Sequence, residues 1–166
     1  MIERHHSDES GRIRLVDANA WEAWRQIRLT ALADTPTAFA STYEGELGLA
    51  ESDWRSRLGN GGPAVLAFEG GEPVGMGAGY QDREGWLHVV AMWVDPSWRG
   101  HRVGWRILDE IVGWAGQRGL RTHLDVTIGN LAARWFYETF GFVGTGETRP
   151  LRPGSTHVVE RMVLPQ

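Results

Sequence analysis

Residues 94–104 of the chain read VDPSWRGHRVG, and this stretch decides how the segments on its two sides are interpreted. The preceding run, 86–94, is apolar and has the length of a buried strand. The following segment, 104–117, places apolar side chains on one face at helical spacing, among them Ile107 and Ile111. The stretch is therefore predicted to be a glycine-containing turn that leads from a strand into the N-terminus of a helix.

A turn of this kind predicts an anion-binding site. The first N–H groups of a helix have no intrahelical acceptor, and the helix dipole favours negative charge at the same end. Arg99, His101 and Arg102 add cationic side chains, so a pyrophosphate is the simplest ligand. The stretch contains neither the P-loop pattern nor the dinucleotide-binding pattern Gly-x-Gly-x-x-Gly. The alternative interpretation is a tight turn with solvated arginines.

Outward from this turn, the chain divides into strand and helix segments. Predicted strands cover 13–16, 64–68, 74–80, 86–94, 124–128 and 157–164, and predicted helices cover a segment ending before Pro36, then 51–58, 104–117 and 130–140. The order is β-α-α-β-β-β-α-β-α-β, in which antiparallel strands precede an αβα unit whose two strands can lie parallel. The sequence thus predicts an α/β fold with helices on both faces of one sheet.

Length and composition predict one domain. The chain has 166 residues, of which 42% are hydrophobic and 23% charged, as in an ordinary globular protein. Residues 12–166 are assigned to this domain, and the polar residues 1–11 to a flexible N-terminal tail without a secretory signal. The sequence contains no cysteine. This excludes disulfides, thiolate zinc sites and cysteine nucleophiles, and it fits a cytoplasmic protein that needs no metal.

Net charge argues against nucleic acid as a partner, and hydropathy argues against a membrane. The net charge is −4, which argues against nucleic acid as the main ligand. No apolar run approaches the roughly 18 residues of a membrane-spanning helix. The acidic balance instead favours a cationic small molecule or peptide.

Two segments resemble motifs of the GNAT superfamily of N-acetyltransferases. Val94-x-Pro96, followed by Arg99-Gly100-x-x-Val103-Gly104, is similar to the family's acetyl-coenzyme A motif Gln/Arg-x-x-Gly-x-Gly/Ala after a strand ending in Val-x-Pro. Residues 130–142 are similar to its helix Asn-x-x-Ala-x-x-x-Tyr-x-x-x-Gly-Phe. The segment 28–54 also resembles many bacterial members. The resemblance implies a GNAT-like, mixed and mostly antiparallel sheet of six to seven strands.

The resemblance also implies direct transfer of an acetyl group from acetyl-coenzyme A to a primary amine. A non-catalytic acyl-coenzyme A sensor or partner-binding domain on the same fold is the alternative, and a homodimer is left open. The residues that the resemblance assigns to the coenzyme are Met92, Trp93, Val94, Arg99, Gly100, His101, Arg102, Val103, Gly104, Asn130, Ala133 and Tyr137. The family has its central motif glycine where this chain has Arg102, and we expect Arg102 to adopt helical φ/ψ with its N–H facing the pyrophosphate.

Three residues are assigned catalytic roles by the resemblance. The backbone N–H of Val94, at the end of the central strand where a bulge would splay it from its parallel neighbour, would hold the negative charge that develops on the thioester oxygen. Tyr137 would protonate the departing thiolate, since a phenol can act as an acid toward it. His88 stands where many relatives carry a glutamate, and it is a candidate base for the acceptor amine. Glu44, Glu46 and Glu84 are competing bases.

The acceptor pocket is assigned to the early helices and the loop between them. Phe39, Tyr43 and Glu46 are expected to line it, with Tyr80 on the opposite side. A carboxylate among aromatic rings suits a cationic amine by charge and by cation–π attraction. The alternative is core packing for Phe39 and a solvated surface for the glutamates.

Overall fold

A computed structural model describes residues 12–166, so the predicted tail at 1–11 lies outside the described residues. The elements are β1 Arg12–Leu15, α1 Trp21–Asp34, α2 Tyr43–Leu47, α3 Glu51–Leu58, β2 Ala64–Glu69, β3 Glu72–Gln81, β4 Leu87–Val94, α4 Val103–Gly116, β5 Thr122–Thr127, α5 Leu131–Phe140, β6 Val143–Pro150 and β7 Val158–Val163. Within this part of the chain, no helix is both long and apolar enough to cross a membrane.

One sheet holds all seven strands in the order β1-β2-β3-β4-β5-β7-β6. Every neighbouring pair is antiparallel except β4 and β5, which pair in parallel from Leu87–Thr122 to Val89–Leu124. A parallel pair needs a crossover connection, and α4 supplies it. The prediction of a mixed, mostly antiparallel sheet is therefore confirmed.

Two apolar cores cover the two faces of the sheet. On one face, α4 buries Ile107, Leu108 and Ile111 against the sheet, with α5 packed beside it. On the other face, α1 and α3 bury Trp24 and Trp54. Because side chains alternate along a strand, β4 contributes to both cores. The predicted arrangement of helices on both faces is confirmed.

The structure adds two elements that the sequence pattern did not predict. Helix α2 has five residues, and the Thr42 hydroxyl caps it by accepting a hydrogen bond from the Gly45 N–H at 3.1 Å. Strand β6 is an edge strand with almost entirely exposed residues. It lacks the apolar alternation by which strands are recognised in a sequence, and pairing with β7 defines it.

Candidate functional site

Strand β4 is distorted near its end. Val90 pairs with Ala78 and Trp93 with Met76, so two residues of β4 stand opposite the single residue Gly77. Ala91, the first of these two, has φ = 60°. A left-handed conformation costs a non-glycine residue about 1–2 kcal/mol, and bulges of this kind re-aim the backbone beside functional sites. The bulge turns the last residues of β4 away from a regular ladder.

The parallel pairing of β4 and β5 ends before this bulge. Val89–Leu124 is the last pair, whereas β4 continues to Val94 and β5 to Thr127. Residues 90–94 therefore present a backbone edge that β5 does not cover. A strand edge of this kind can pair with an extended chain that carries amide groups. The structure thus opens the sheet where Met92, Trp93 and Val94 are predicted to bind the coenzyme.

The turn after β4 uses two left-handed residues. Gly100 has φ = 82°, and Arg102, the N-cap residue of α4, has φ = 62° and ψ = 15°. The expectation that Arg102 adopts right-handed helical angles is wrong. The position requires the left-handed conformation that glycine adopts without steric cost, and this explains the glycine in the family motif. The first N–H groups of α4, including those of Val103 and Gly104, still lie at this turn.

Replacing Arg102 by glycine is expected to stabilise the fold. The change relieves about 1–2 kcal/mol of left-handed strain and costs about 0.4–1 kcal/mol through the greater freedom of the unfolded chain. A net gain of up to about 1 kcal/mol should appear as a higher midpoint in chemical denaturation. Arg102→Ala is the matched control, since it removes the same side chain and retains the strain. Equal midpoints for the two variants would contradict the strain argument.

Arg99 ties the turn to α1. Its Nε donates to the Val94 carbonyl at 3.0 Å, and its Nη2 donates to Asp34 Oδ2 at 3.1 Å. The Trp93 indole N–H donates to the same oxygen at 3.1 Å. Hydrogen bonds from Thr35, Trp93 and Arg99 hold the pKa of Asp34 below its usual value. Arg99 therefore fixes the position of the turn in this structure, and its predicted contact with phosphate stays a prediction.

Helix α5 packs close to the start of α4 and the end of β4 through Phe136. Asn130 caps the helix, because its Oδ1 accepts a hydrogen bond from the Ala133 N–H at 3.2 Å. A methyl group added at Gly104 would lie 3.4 Å from Val94 and 3.5 Å from the ring of Phe136 on α5. The end of β4, the start of α4 and the face of α5 therefore meet closely.

The ring of Tyr137 packs between aromatic neighbours. Its centroid lies 5.2 Å from that of Phe136 and 6.0 Å from that of Phe142. Burial raises the pKa of the Tyr137 phenol above its usual value, so the hydroxyl stays protonated. Among residues 12–166 it has no hydrogen-bond partner. The hydroxyl is thus a proton donor without a partner in the described chain.

His88 lies within a buried polar cluster. This cluster is on the α1 face of the sheet, opposite to the face that α4 and α5 cover. The Tyr80 hydroxyl is 2.9 Å from His88 Nδ1, and Asp125 Oδ2 is 3.5 Å from His88 Nε2. The ring of His123 packs against it at an interplanar angle of 48°, with ring centroids 4.6 Å apart. Burial lowers the pKa of His88 to about 4, although the Asp125 carboxylate acts to raise it. The imidazole is therefore neutral near pH 7 and reaches solvent through Tyr80.

The depressed pKa of His88 predicts an acid-sensitive fold. Its pKa is about 4 when folded and about 6.5 when unfolded, so the unfolded chain binds more protons between these values. Stability should fall as pH drops from about 6.5 toward 4, by up to about 1.4 kcal/mol per pH unit. Chemical denaturation at several pH values measures this slope. His88→Gln cannot titrate and should flatten it, and an unchanged slope in that variant would contradict the assignment.

A cavity of about 160 Å³ lies on the α1 face of the sheet beside the bulge of β4. Val90 and Ala91 form one side of it, and Tyr80, Arg28 and Arg57 contribute polar groups. Of the four residues predicted to line an acceptor pocket, the structure places Tyr80 here. Phe39 is buried beneath the Arg28 guanidinium, with 4.8 Å from Cζ to the ring centroid. Tyr43 borders a separate groove on α1.

Glu46 is buried between two arginines. Arg28 Nε donates to Oε2 at 2.9 Å and Arg28 Nη2 to Oε1 at 3.3 Å, while Arg57 Nη1 donates to Oε1 at 2.6 Å. Burial acts to raise the pKa of Glu46, and the two guanidinium groups outweigh it and lower the pKa. The carboxylate is therefore charged and fully engaged. Its predicted role as an amine-binding group stays a prediction that these contacts do not support.

Three residues of this region had no functional role in the sequence interpretation. Arg28 belonged to a family-like segment, but nothing in its spacing indicated that it lines a cavity. Arg57 was one basic residue on an amphipathic helix. Ala91 lies inside an apolar run, and the bulge that the resemblance implies at the end of this strand was not assigned to it. Only the three-dimensional register shows that these residues share one site.

A strand that bulges and separates from its parallel neighbour, beside an N–H-rich helix start, fits the fold that the two motifs predicted. A family model described as "Acetyltransferase (GNAT) family" matches residues 21–142. The chain therefore belongs to the GNAT acetyltransferase family, as the two motifs indicated. Comparison with curated proteins gives no significant match.

Solved structures of bacterial acetyltransferases share the fold. A GNAT-family acetyltransferase from Streptococcus pneumoniae is 20% identical, with a TM-score of 0.74 over 93% of this chain and 98% of that one. An N-acetyltransferase from Staphylococcus aureus is 18% identical, with a TM-score of 0.74 over 93% and 96%. A phosphinothricin acetyltransferase from Sinorhizobium meliloti in complex with acetyl-coenzyme A is 18% identical, with a TM-score of 0.76 over 94% and 88%.

Proposed function

We propose that this protein transfers the acetyl group of acetyl-coenzyme A to a primary amine. The observation that carries the proposal is the opening between β4 and β5 beyond Val89, which lies beside the N-terminal turn of α4. Membership of the GNAT family supports it, as does the acetyl-coenzyme A complex of the Sinorhizobium meliloti acetyltransferase of the same fold. The acceptor amine reaches the opening from the α1 face.

The residues at the opening fit the coenzyme by their chemistry. Backbone amides of 92–94 form a strand edge suited to an extended arm with amide groups. The N–H groups at Gly100–Gly104 suit a pyrophosphate. The Arg102 guanidinium and the His101 ring, both exposed, lie at the same turn. When bound, the coenzyme supplies the activated thioester carbonyl.

Each protein group then has one task. The N–H of Val94 donates to oxygen as negative charge develops there. Tyr137, kept protonated by burial, donates its proton to the departing sulfur. His88 accepts a proton from the acceptor amine through Tyr80, whose hydroxyl lies 2.9 Å from Nδ1. Glu44 and Glu84 are exposed and Glu46 is engaged by two arginines, which leaves His88 with Tyr80 as the base. Because its pKa of about 4 makes His88 a weak base, the amine has to bind in its neutral form and give up a proton as it attacks the thioester.

A second candidate function is a non-catalytic acyl-coenzyme A sensor. The strained left-handed Arg102 at the phosphate-binding turn favours it, because the family motif has glycine there. The predicted cytoplasmic location, the homodimer and the independence from metals and nucleic acid remain predictions.

Calorimetry with acetyl-coenzyme A and thiol release across a panel of primary amines test the proposal together. An acetyltransferase binds the coenzyme and releases free thiol in an amine-dependent manner, whereas a sensor binds it without turnover. Absence of acetyl-coenzyme A binding would overturn both candidate functions.

A further inference from the structure

The cavity beside Ala91 is the space in which an acceptor amine can approach the end of β4, and the inference drawn from it rests on the proposed function. Val90 and Ala91 line one end of the cavity, next to the residues proposed to hold the thioester. Arg28 and Arg57 also line it. An acceptor in this space therefore contacts the bulge of β4 and two guanidinium groups together.

The charge around the cavity is positive. Arg28 and Arg57 carry two positive charges, and Glu46, which both arginines contact, carries one negative charge. None of the residues that line the cavity within the described chain is acidic. A polyamine or another cationic acceptor would meet this positive charge in a confined space. The whole-chain charge of −4 therefore gives the wrong sign for this site.

One guanidinium nitrogen lacks an acceptor. Arg28 uses Nε and Nη2 on Glu46, and its side chain is 11% exposed. Nη1 is shielded from solvent and has no hydrogen-bond partner among the residues that the structure describes. A buried donor without a partner is costly, and such donors are rare in native proteins. The Arg28 guanidinium therefore keeps hydrogen-bonding capacity that no described residue uses, at a side chain that lines the cavity.

We propose that the acceptor is an amine that also carries a carboxylate, such as an amino acid or a peptide C-terminus. The carboxylate lies against the guanidinium groups of Arg28 and Arg57, and the amino group points toward Ala91 and the end of β4. Arginine matches the planar geometry of a carboxylate, and such charge-assisted hydrogen bonds are strong. The cavity volume of about 160 Å³ limits the enclosed part of the acceptor to a small group.

Matched pairs of acceptors test this proposal. The panel contains amino acids and dipeptides, each with its C-terminal amide, assayed by thiol release at saturating acetyl-coenzyme A. We expect kcat/KM to be at least about tenfold higher for the acid than for its amide, as the loss of a hydrogen bond to a charged group predicts. Equal values for acid and amide, or a preference for the amide, would overturn the proposal.

Two variants test whether Arg28 and Arg57 produce the preference for the acid over its amide. Arg57→Gln removes one cationic group that is 43% exposed, so the fold should tolerate it, and we expect the acid-over-amide ratio to fall by severalfold. Arg28→Lys removes the planar donor set and should reduce the ratio further. Arg55→Gln is the control. Arg55 lies on α3, as Arg57 does, but it pairs with Glu51 and does not line the cavity. A ratio that is unchanged in both Arg28→Lys and Arg57→Gln would overturn the assignment.

Direct binding separates this inference from the proposed function. Calorimetry compares an N-acetyl amino acid with its amide, with and without coenzyme A. Tighter binding of the acid without any turnover would refute the transferase and retain the carboxylate site. Turnover of amines without discrimination between acid and amide would retain the transferase and refute the site.

Discussion

Replacing Tyr137 by phenylalanine is expected to lower kcat for acetyl transfer by about 100-fold, the lower end of what general acid catalysis contributes. The change removes one oxygen from a ring that packs between Phe136 and Phe142 and leaves the ring in place. The hydroxyl has no hydrogen-bond partner within residues 12–166, so no internal contact is lost. Acetyl-coenzyme A affinity should therefore change little.

Three measurements separate chemistry from structure in this variant. Single-turnover thiol release reports the chemical step, calorimetry reports acetyl-coenzyme A binding, and thermal unfolding reports stability. A large fall in the first with little change in the other two supports proton donation by Tyr137. If kcat stays within about twofold of the parent value, well below the usual contribution of an acid, Tyr137 is a packing residue.

The sequence predicted those parts of the fold that have a local signal. Helix α4 carries an apolar stripe that repeats at helical spacing, and the structure buries that stripe through Ile107 and Ile111. Strand β6 has no such signal, because its residues are exposed and two glycines interrupt it. A strand of this kind forms because its backbone pairs with β7. The residues of β6 alone do not show that this pairing occurs.

The site was predictable only as far as its motifs extend. The two motifs assigned the N-terminus of α4 and the face of α5 to one coenzyme site, which stays a prediction, and the structure places Gly104 of α4 close to Phe136 of α5. The resemblance implied a bulge at the end of β4, but its position at Ala91 and the positive φ of Arg102 are set by tertiary contacts and strand register, which residue types alone do not encode. The pairing of Glu46 with Arg28 and Arg57 spans separate helices, so its carboxylate could equally be interpreted as free.

Replacing Glu46 by alanine is expected to destabilise the fold by about 3 kcal/mol, the lower end for removing one partner of a buried ion pair. The Glu46 side chain is 3% exposed. Without it, the 11%-exposed Arg28 loses its only carboxylate among the described residues, whereas the 43%-exposed Arg57 can turn to solvent. Glu44→Ala on the same helix, at an exposed position, is the control and should change stability by less than about 0.5 kcal/mol.

The contacts of Glu46 with Arg28 and Arg57 also determine how its contribution to stability changes with pH. The pKa of Glu46 is lower in the folded protein than in the unfolded chain, because Arg28 and Arg57 outweigh its burial. Its contribution is therefore complete above the unfolded pKa and is lost as pH falls through the folded value. The free-energy difference between the parent and Glu46→Ala should shrink in acid. A difference that does not depend on pH would contradict the ion-pair assignment.

A double replacement distinguishes the cost of an unpaired charge from the worth of the pair. Arg28→Met with Glu46→Leu removes both buried charges and leaves Arg57 free to reach solvent. Replacing a buried ion pair by apolar side chains of similar volume is often neutral or stabilising, so this variant should recover most of the stability that Glu46→Ala loses. Because it lacks the Arg28 guanidinium and keeps Arg57, it should also show a smaller preference for carboxylate-bearing acceptors, as Arg28→Lys does. Recovered stability with that preference intact would mean that Arg28 serves the fold alone.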